Sequence, residues 1–298
     1  MDLQRALKNE RLLKALTGLN FQEFENLEKP FSETLLLEAK NKKRKRAVGA
    51  GIKGVLDSPR LKFFFILFYL KTYPTFDLAG FFFDVDRSRP CRWVQKFLPI
   101  LEQTLGKRCL LPKRQIRSIE EFLHYFPDAK DFFIDGTERR TQRPKSPKNQ
   151  KRKYSGKKKT HTRKNIIMTD ADKKILLLSA SKNGRRHDKN LLDKTCWLSS
   201  VPPDTTLWVD TGFQGIQKTV NKGISVMMPK KKSRKKPLTD KQKEENKTIS
   251  SIRIVVENAL AGIKRFNSLH QVYRNRKGQD DSMMMLASGL WNLHLQMK

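Results

Sequence analysis

The chain has 298 residues, room for about two domains, and carries 63 Lys and Arg against 30 Asp and Glu, a net charge of +33 at pH 7. Such an excess repels itself in a compact chain and calls for a polyanionic partner, with nucleic acid the first candidate. A hydrophobic share of 37% with 18 Phe and 4 Trp excludes a wholly disordered chain. The longest apolar run, the eight residues from Phe63 to Leu70, is too short for a membrane span of about 20.

Residues 1–54 read as a polar helical region that ends in the basic run Lys40 to Arg46, with Gly49, Gly51 and Gly54 as a break. Residues 55–125 read as an all-α domain. Pro59 opens an apolar helix that stops before Pro74, Thr75 is placed to cap a second short helix, and Asp84-Val85-Asp86 is a turn. In the third helix Trp93, Phe97, Leu101 and Leu105 recur every four residues, which leaves Arg87, Arg89, Arg92, Gln95 and Lys96 on the outer face. A short helix, a tight turn and a basic second helix make a helix-turn-helix whose second helix suits a major groove. An ordinary three-helix bundle with a charged face gives the same pattern.

From about residue 126 the periodicity changes to that of a mixed α/β sheet, extending to residue 298. Asp131 to Asp135 is an apolar strand ending in a carboxylate, and His161–Thr169 and Lys174–Ala180 are paired strands. Lys189 to Trp197 reads as helix, Thr206 to Asp210 as a second strand ending in a carboxylate, Ser225 to Met228 as a strand, and Asp240 to Phe266 as a long helix. Two inserts, 139–164 and 230–247, are basic. The first carries 13 Lys and Arg among its 26 residues, Lys157, Lys158 and Lys159 included. Both inserts are expected to be disordered alone and ordered against phosphate.

Acidic groups at strand ends in so basic a chain need a reason. The carboxyl ends of strands are where open α/β sheets place their sites. If the strands are neighbours, Asp135 and Asp210 meet at one edge and repel unless a cation sits between them. A lysine would serve, and a divalent ion with hard oxygen ligands, Mg²⁺ or Mn²⁺, serves better. Holding two ions takes a third carboxylate. Glu257 flanks the apolar stripe Ile249, Ile252, Val256, Ala259, Ile263 and Phe266, and Glu138 is its rival. An i, i+4 salt bridge to Arg253 is the plainer role for Glu257.

These residues carry a resemblance. Asp135-Gly-Thr-Glu138, the block from Tyr154 to Asn165, Asp210-Thr-Gly-Phe-Gln-Gly215, and Arg253-x₃-Glu257-x₆-Lys264 resemble DDE transposases of the insertion-sequence-five group, with Harbinger elements as cousins. The likeness runs from about residue 55 to 275. It implies a ribonuclease H-like catalytic domain preceded by a helix-turn-helix, with Asp135, Asp210 and Glu257 holding two Mg²⁺ or Mn²⁺ ions. It further implies cleavage and strand transfer at transposon ends, and a homo-oligomer on double-stranded DNA comprising terminal inverted repeats and target. A cytoplasmic, nucleoid-associated location follows, with no membrane partner. Lys157, Lys158, Lys159, Arg253 and Lys264 become DNA contacts beside the helix-turn-helix residues. Where the family pattern has a tyrosine, this chain has Ser250. His187-Asp188 resembles a Harbinger His-Asp pair, although Asp188 is also placed to cap the helix at Lys189. A domesticated transposase that binds DNA without cutting it is the alternative function.

Overall fold

Side-chain caps set several helix starts in the computed structural model, which describes residues 3–41, 54–232, 237–275 and 278–298. Asn9, Asn20, Ser58 and Thr75 each accept a hydrogen bond from a backbone N–H in the first turn of the following helix, satisfying donors that the helix leaves orphaned. The caps begin α2 (Glu10–Thr17), α3 (Phe21–Lys40), α4 (Pro59–Thr72) and α5 (Phe76–Phe82), which with α1 (Leu3–Lys8) and α6 (Ser88–Lys107) make up the first six helices. Asn20 and Glu23 close a reciprocal capping box on α3.

The chain divides into two compact units. The first comprises residues 1–111, 263–271 and 277–298. Its core is aromatic: Phe63 meets Phe24 and Phe31, and Phe65 lies edge-on to Phe83, Trp93 and Phe97. Residues Phe63 to Leu70 are buried all round, so the apolar run is the central helix of a bundle. Each such side chain contributes about 1.5–3 kcal/mol by leaving water. Between α5 and α6 the turn closes through Val85 N–H on Gly80 O (2.9 Å) and Ser88 N–H on Asp86 Oδ1 (2.9 Å).

The second unit comprises residues 112–262 and 272–276. It starts earlier than the composition change at residue 126 suggests. Phe122, on α7 (Ile119–Tyr125), packs edge-on to Phe132, and Trp197 Nε1 donates to Arg114 O at 3.0 Å. Its sheet holds β1 (Asp131–Arg140), β2 (Tyr154–Ser155), β3 (Thr160–Thr169), β4 (Ile175–Leu178), β5 (Lys182–Asn183), β6 (Thr206–Val209) and β7 (Ser225–Met227). The order is β2-β3-β1-β6-β7, with β4 and β5 also on β3. β1 and β3 are antiparallel, whereas β1, β6 and β7 run parallel. Helices α8 (Pro147–Lys153), α9 (Asp188–Asp193) and α10 (Asp240–Lys264) complete the unit, save the last two residues of α10. The remaining helices, α11 (Asn267–His270) and α12 (Asp280–Gln296), belong to the first unit.

The first basic insert is ordered, contrary to the expectation from its charge. It is the end of β1, then α8, β2 and the start of β3. Two of its cations explain why. Arg139 is buried and donates to Asn165 Oδ1 and Ser181 Oγ, and Lys164 is buried between carboxylates. The second insert continues into α10, where Lys230 pairs with Glu245. Lys42 to Arg46, Gly49, Gly51 and Arg234 to Lys236 lie outside the described residues. Among the described residues no helix is long and apolar enough to cross a membrane.

Candidate active site

Register places the two strand-end carboxylates side by side. The parallel pair β1 and β6 is in step to Ile134 opposite Val209; the next residues are Asp135, from which β1 runs on to Arg140 along β3 rather than ending as expected, and Asp210, just past the end of β6. Both turn an oxygen back on the chain: Asp135 Oδ1 accepts from Gly136 N–H and Asp210 Oδ1 from Thr211 N–H, each at 2.7 Å. Burial holds the Asp135 carboxyl above the ordinary aspartate range, with the charges of Asp210 and Asp188 adding to the rise. The Gly136 N–H and Arg253 act the other way.

Asp188 is a third acid at this edge. It is the first residue of α9, whose N-cap is His187 without a side-chain capping bond, so the capping role expected of Asp188 is not the one it has. Its carboxylate pairs with Lys164 Nζ at 2.8 Å. A methyl group on Gly136 would come within 2.8 Å of Asp188 Oδ1, and one on Gly212 within 3.3 Å of Oδ2. Glycine beside each strand-end acid therefore lets Asp188 approach. Sequence spacing offered only the His-Asp pair as a signal, because the approach depends on how α9 lies on the sheet.

Glu138 is taken by other partners. Three residues along β1 from Asp135, it falls on the opposite face of the strand. There it accepts from Thr162 Oγ1 at 2.7 Å and meets Lys164 at 3.2 Å. Burial pushes its pKa up, but the hydrogen bonds of Ser155 and Thr162 and the charge of Lys164 outweigh this and hold it below the ordinary value. Lys164 is tuned the opposite way: burial opposes its charge, yet Asp188 and Glu138 keep its pKa raised. Lys164 is thus an internal cation between two carboxylates, and it also donates to Arg186 O at 3.0 Å.

Helix α10 brings Arg253 to the edge. Its guanidinium is buried and stands 3.8 Å from Asp210 Oδ1, toward the sheet acid. Glu257 follows one turn later and is exposed. At i+4 it shares the face of Arg253. Among the described residues no three acidic, histidine or cysteine side chains stand close enough to enclose a metal ion. The donor set nonetheless suits a hard cation. Asp135 and Asp210 offer only oxygens, and the burial and crowding that raise Asp135 are relieved by positive charge.

The other expected residues belong to other elements. Lys157, Lys158 and Lys159 are exposed at the β2–β3 turn. Arg87, Arg89, Arg92 and Lys96 are exposed at the start of α6, with Gln95 half-buried. Arg87 pairs with Asp77 of α5, and Arg92 donates to Ser88 O and Oγ. Lys264 ends α10 and is counted with the first unit.

Comparison with known proteins identifies the family. Residues 134–292 match the family described as DDE superfamily endonuclease, and residues 55–107 match the helix-turn-helix of DDE superfamily endonuclease. The chain belongs to the DDE superfamily endonucleases. Over its full length, and that of the relative, it is 30% identical to a probable transposase for insertion sequence element IS702 from Microchaete diplosiphon. No solved structure matches. The helix-turn-helix match spans α4 to α6.

Proposed function

We propose that this DDE endonuclease is a transposase of the insertion-sequence-five kind, with a ribonuclease H-like catalytic unit that cuts transposon ends and joins them to target DNA. The observation that carries the reading is the register of β1 and β6, which sets Asp135, where the parallel pairing stops midway along β1, beside Asp210 just past the carboxyl end of β6. Asp135 and Asp210 would hold the divalent ions, with Glu257 of α10 as the third ligand. Bound there, Mg²⁺ or Mn²⁺ would lower the pKa of an attacking water or 3′-hydroxyl and take up charge on the departing oxygen.

The chain's own groups prepare that chemistry. The N–H groups of Gly136 and Thr211 each tie one oxygen of an aspartate to the backbone, which restricts the rotation of both carboxylates. Arg253 balances charge beside Asp210 and suits a phosphate contact. Lys164 neutralises Asp188 and Glu138, so these buried acids do not add their full repulsion to Asp135. Helix α6 would read the terminal repeats through Arg87, Arg89, Arg92, Gln95 and Lys96. Lys157 to Lys159 would follow the backbone of DNA held as a multimeric complex.

Incubation of the full chain with DNA carrying the element's ends and Mg²⁺ or Mn²⁺ tests the proposal. The expected result is 3′-hydroxyl products from the wild type. Asp135→Asn, Asp210→Asn and Glu257→Gln should give none while retaining DNA binding. Binding without products in the wild type would leave a DNA-binding protein in place of an enzyme.

A further inference from the structure

Away from the strand-end acids, the second unit has an open cavity of about 710 Å³ formed by α8, the β2–β3 hairpin and the loop after β5. Its size falls in the range of about 300–1,000 Å³ usual for ligand pockets. Arg143, Lys151 and Arg185 supply its charge, and Tyr154 and His161 supply ring surface. No carboxylate lines it. Tyr154 and His161 face each other across the β2–β3 pair with centroids 5.8 Å apart and planes at 73°, and Tyr154 is 40% or more exposed at 42%. Gly156 adds no bulk to the lining, and nothing lies within 4 Å of where its Cβ would be. Gln150 holds one wall in place: its amide oxygen accepts from Arg143 Nη2 at 3.0 Å and its amide nitrogen donates to Pro144 O at 2.8 Å.

This composition differs from that of a surface made only to meet duplex DNA. Phosphates need exposed cations alone, as at Lys157 to Lys159, and a base inside a duplex keeps its faces stacked. An accessible aromatic ring set in a concavity among cations matches a base taken out of its stack with its phosphates held at the rim. Strand β3 links the pocket to Asp135, since its one end carries His161 and its other pairs with β1. From Ile167, opposite Asp135, to His161 is six residues of β3, about 20 Å at 3.3 Å per residue, or about six nucleotides at a rise of 3.4 Å.

We infer that this pocket binds one unstacked nucleotide of a DNA strand, its base on Tyr154 and its flanking phosphates on Arg143, Lys151 and Arg185. The inference rests on the proposed DNA reading but needs no cleavage.

The test is binding of the full chain, without metal, to duplexes bearing a single-stranded tail in which one arm has thymidines and the other abasic sites. Both arms carry the same phosphates. The wild type should bind the thymidine tail about tenfold more tightly, the effect of stacking about one base on an aromatic ring. Tyr154→Ala should abolish that difference and Tyr154→Phe should keep it. Arg185→Ala should weaken both arms alike. A melting temperature unchanged in Tyr154→Ala shows that the loss is local, and Tyr154→Leu, which keeps bulk without the π face, should lose the preference too. Equal wild-type affinity for the two tails, or a preference surviving in Tyr154→Ala, overturns the pocket assignment while leaving the DNA reading intact. Failure to bind any of these duplexes overturns both.

Discussion

At the residue scale, the acids of the second unit divide into a strained set and a satisfied set. Asp135 has its pKa raised by burial, then by Asp210 and Asp188. In the metal-free chain its stabilising contribution therefore belongs to the protonated form. That contribution is complete below the unfolded value of about 3.9 and is lost as pH rises through the folded pKa. Asp135→Asn should raise the melting temperature of metal-free protein at neutral pH and remove the stabilisation that Mg²⁺ or Mn²⁺ gives the wild type, both read by thermal denaturation. Glu138 has the opposite sign: its lowered pKa contributes stability above the unfolded value that is lost as pH falls through the folded one. Lys164 should be costly to remove. Lys164→Met leaves Glu138 and Asp188 without their cation, a loss of about 3–5 kcal/mol, measurable by denaturant unfolding. Asp135 and Asp210 are legible in the sequence, because an apolar run ending in a carboxylate needs no tertiary knowledge. Asp188 and Lys164 are not, because one approaches over two glycines from another element and the other sits in a run that composition assigns to solvent.

At the element scale, capping and proline punctuation make the helix-turn-helix readable. Pro59, Pro74 and Thr75 mark the borders that α4 and α5 show, and in the four-residue repeat of α6 Phe97, Leu101 and Leu105 are buried as the spacing demands, with Trp93 half-buried. The turn depends on Gly80. A Cβ there would lie 2.6 Å from Val85 O and 3.3 Å from Arg87 N, both backbone atoms that cannot swing aside. Gly80→Ala should cost about 1–3 kcal/mol, seen in the denaturation midpoint, and loosen the start of α6. Arg89→Ala with Arg92→Ala should leave stability nearly unchanged and reduce the ratio of end-DNA to random-DNA affinity, measured by competition binding. The strand β1 reads as shorter than it is. Its last residues, Glu138-Arg139-Arg140, are charged, and only pairing with Arg163, Lys164 and Thr162 on β3 keeps them extended. Likewise α9 stops at Asp193, before the helical reading ends.

At the scale of the whole molecule, the charge of +33 sets the terms on which this endonuclease meets DNA. Each phosphate neutralised releases counterions, so affinity should fall by about 10³–10⁵ between 50 and 200 mM salt if about 6–10 phosphates are covered. Titration at several salt concentrations measures this, and a flat dependence would contradict a nucleic-acid partner. Charge alone names no chemistry, however. What does, on the proposed reading, is the convergence of Asp135, Asp210 and Glu257 on one phosphodiester. Strand cleavage by the wild type and by Glu257→Gln, followed side by side on end DNA with Mn²⁺, tests that claim most directly. The account predicts 3′-hydroxyl products from the wild type and background alone from Glu257→Gln at equal DNA binding; wild-type rates from the variant would contradict it.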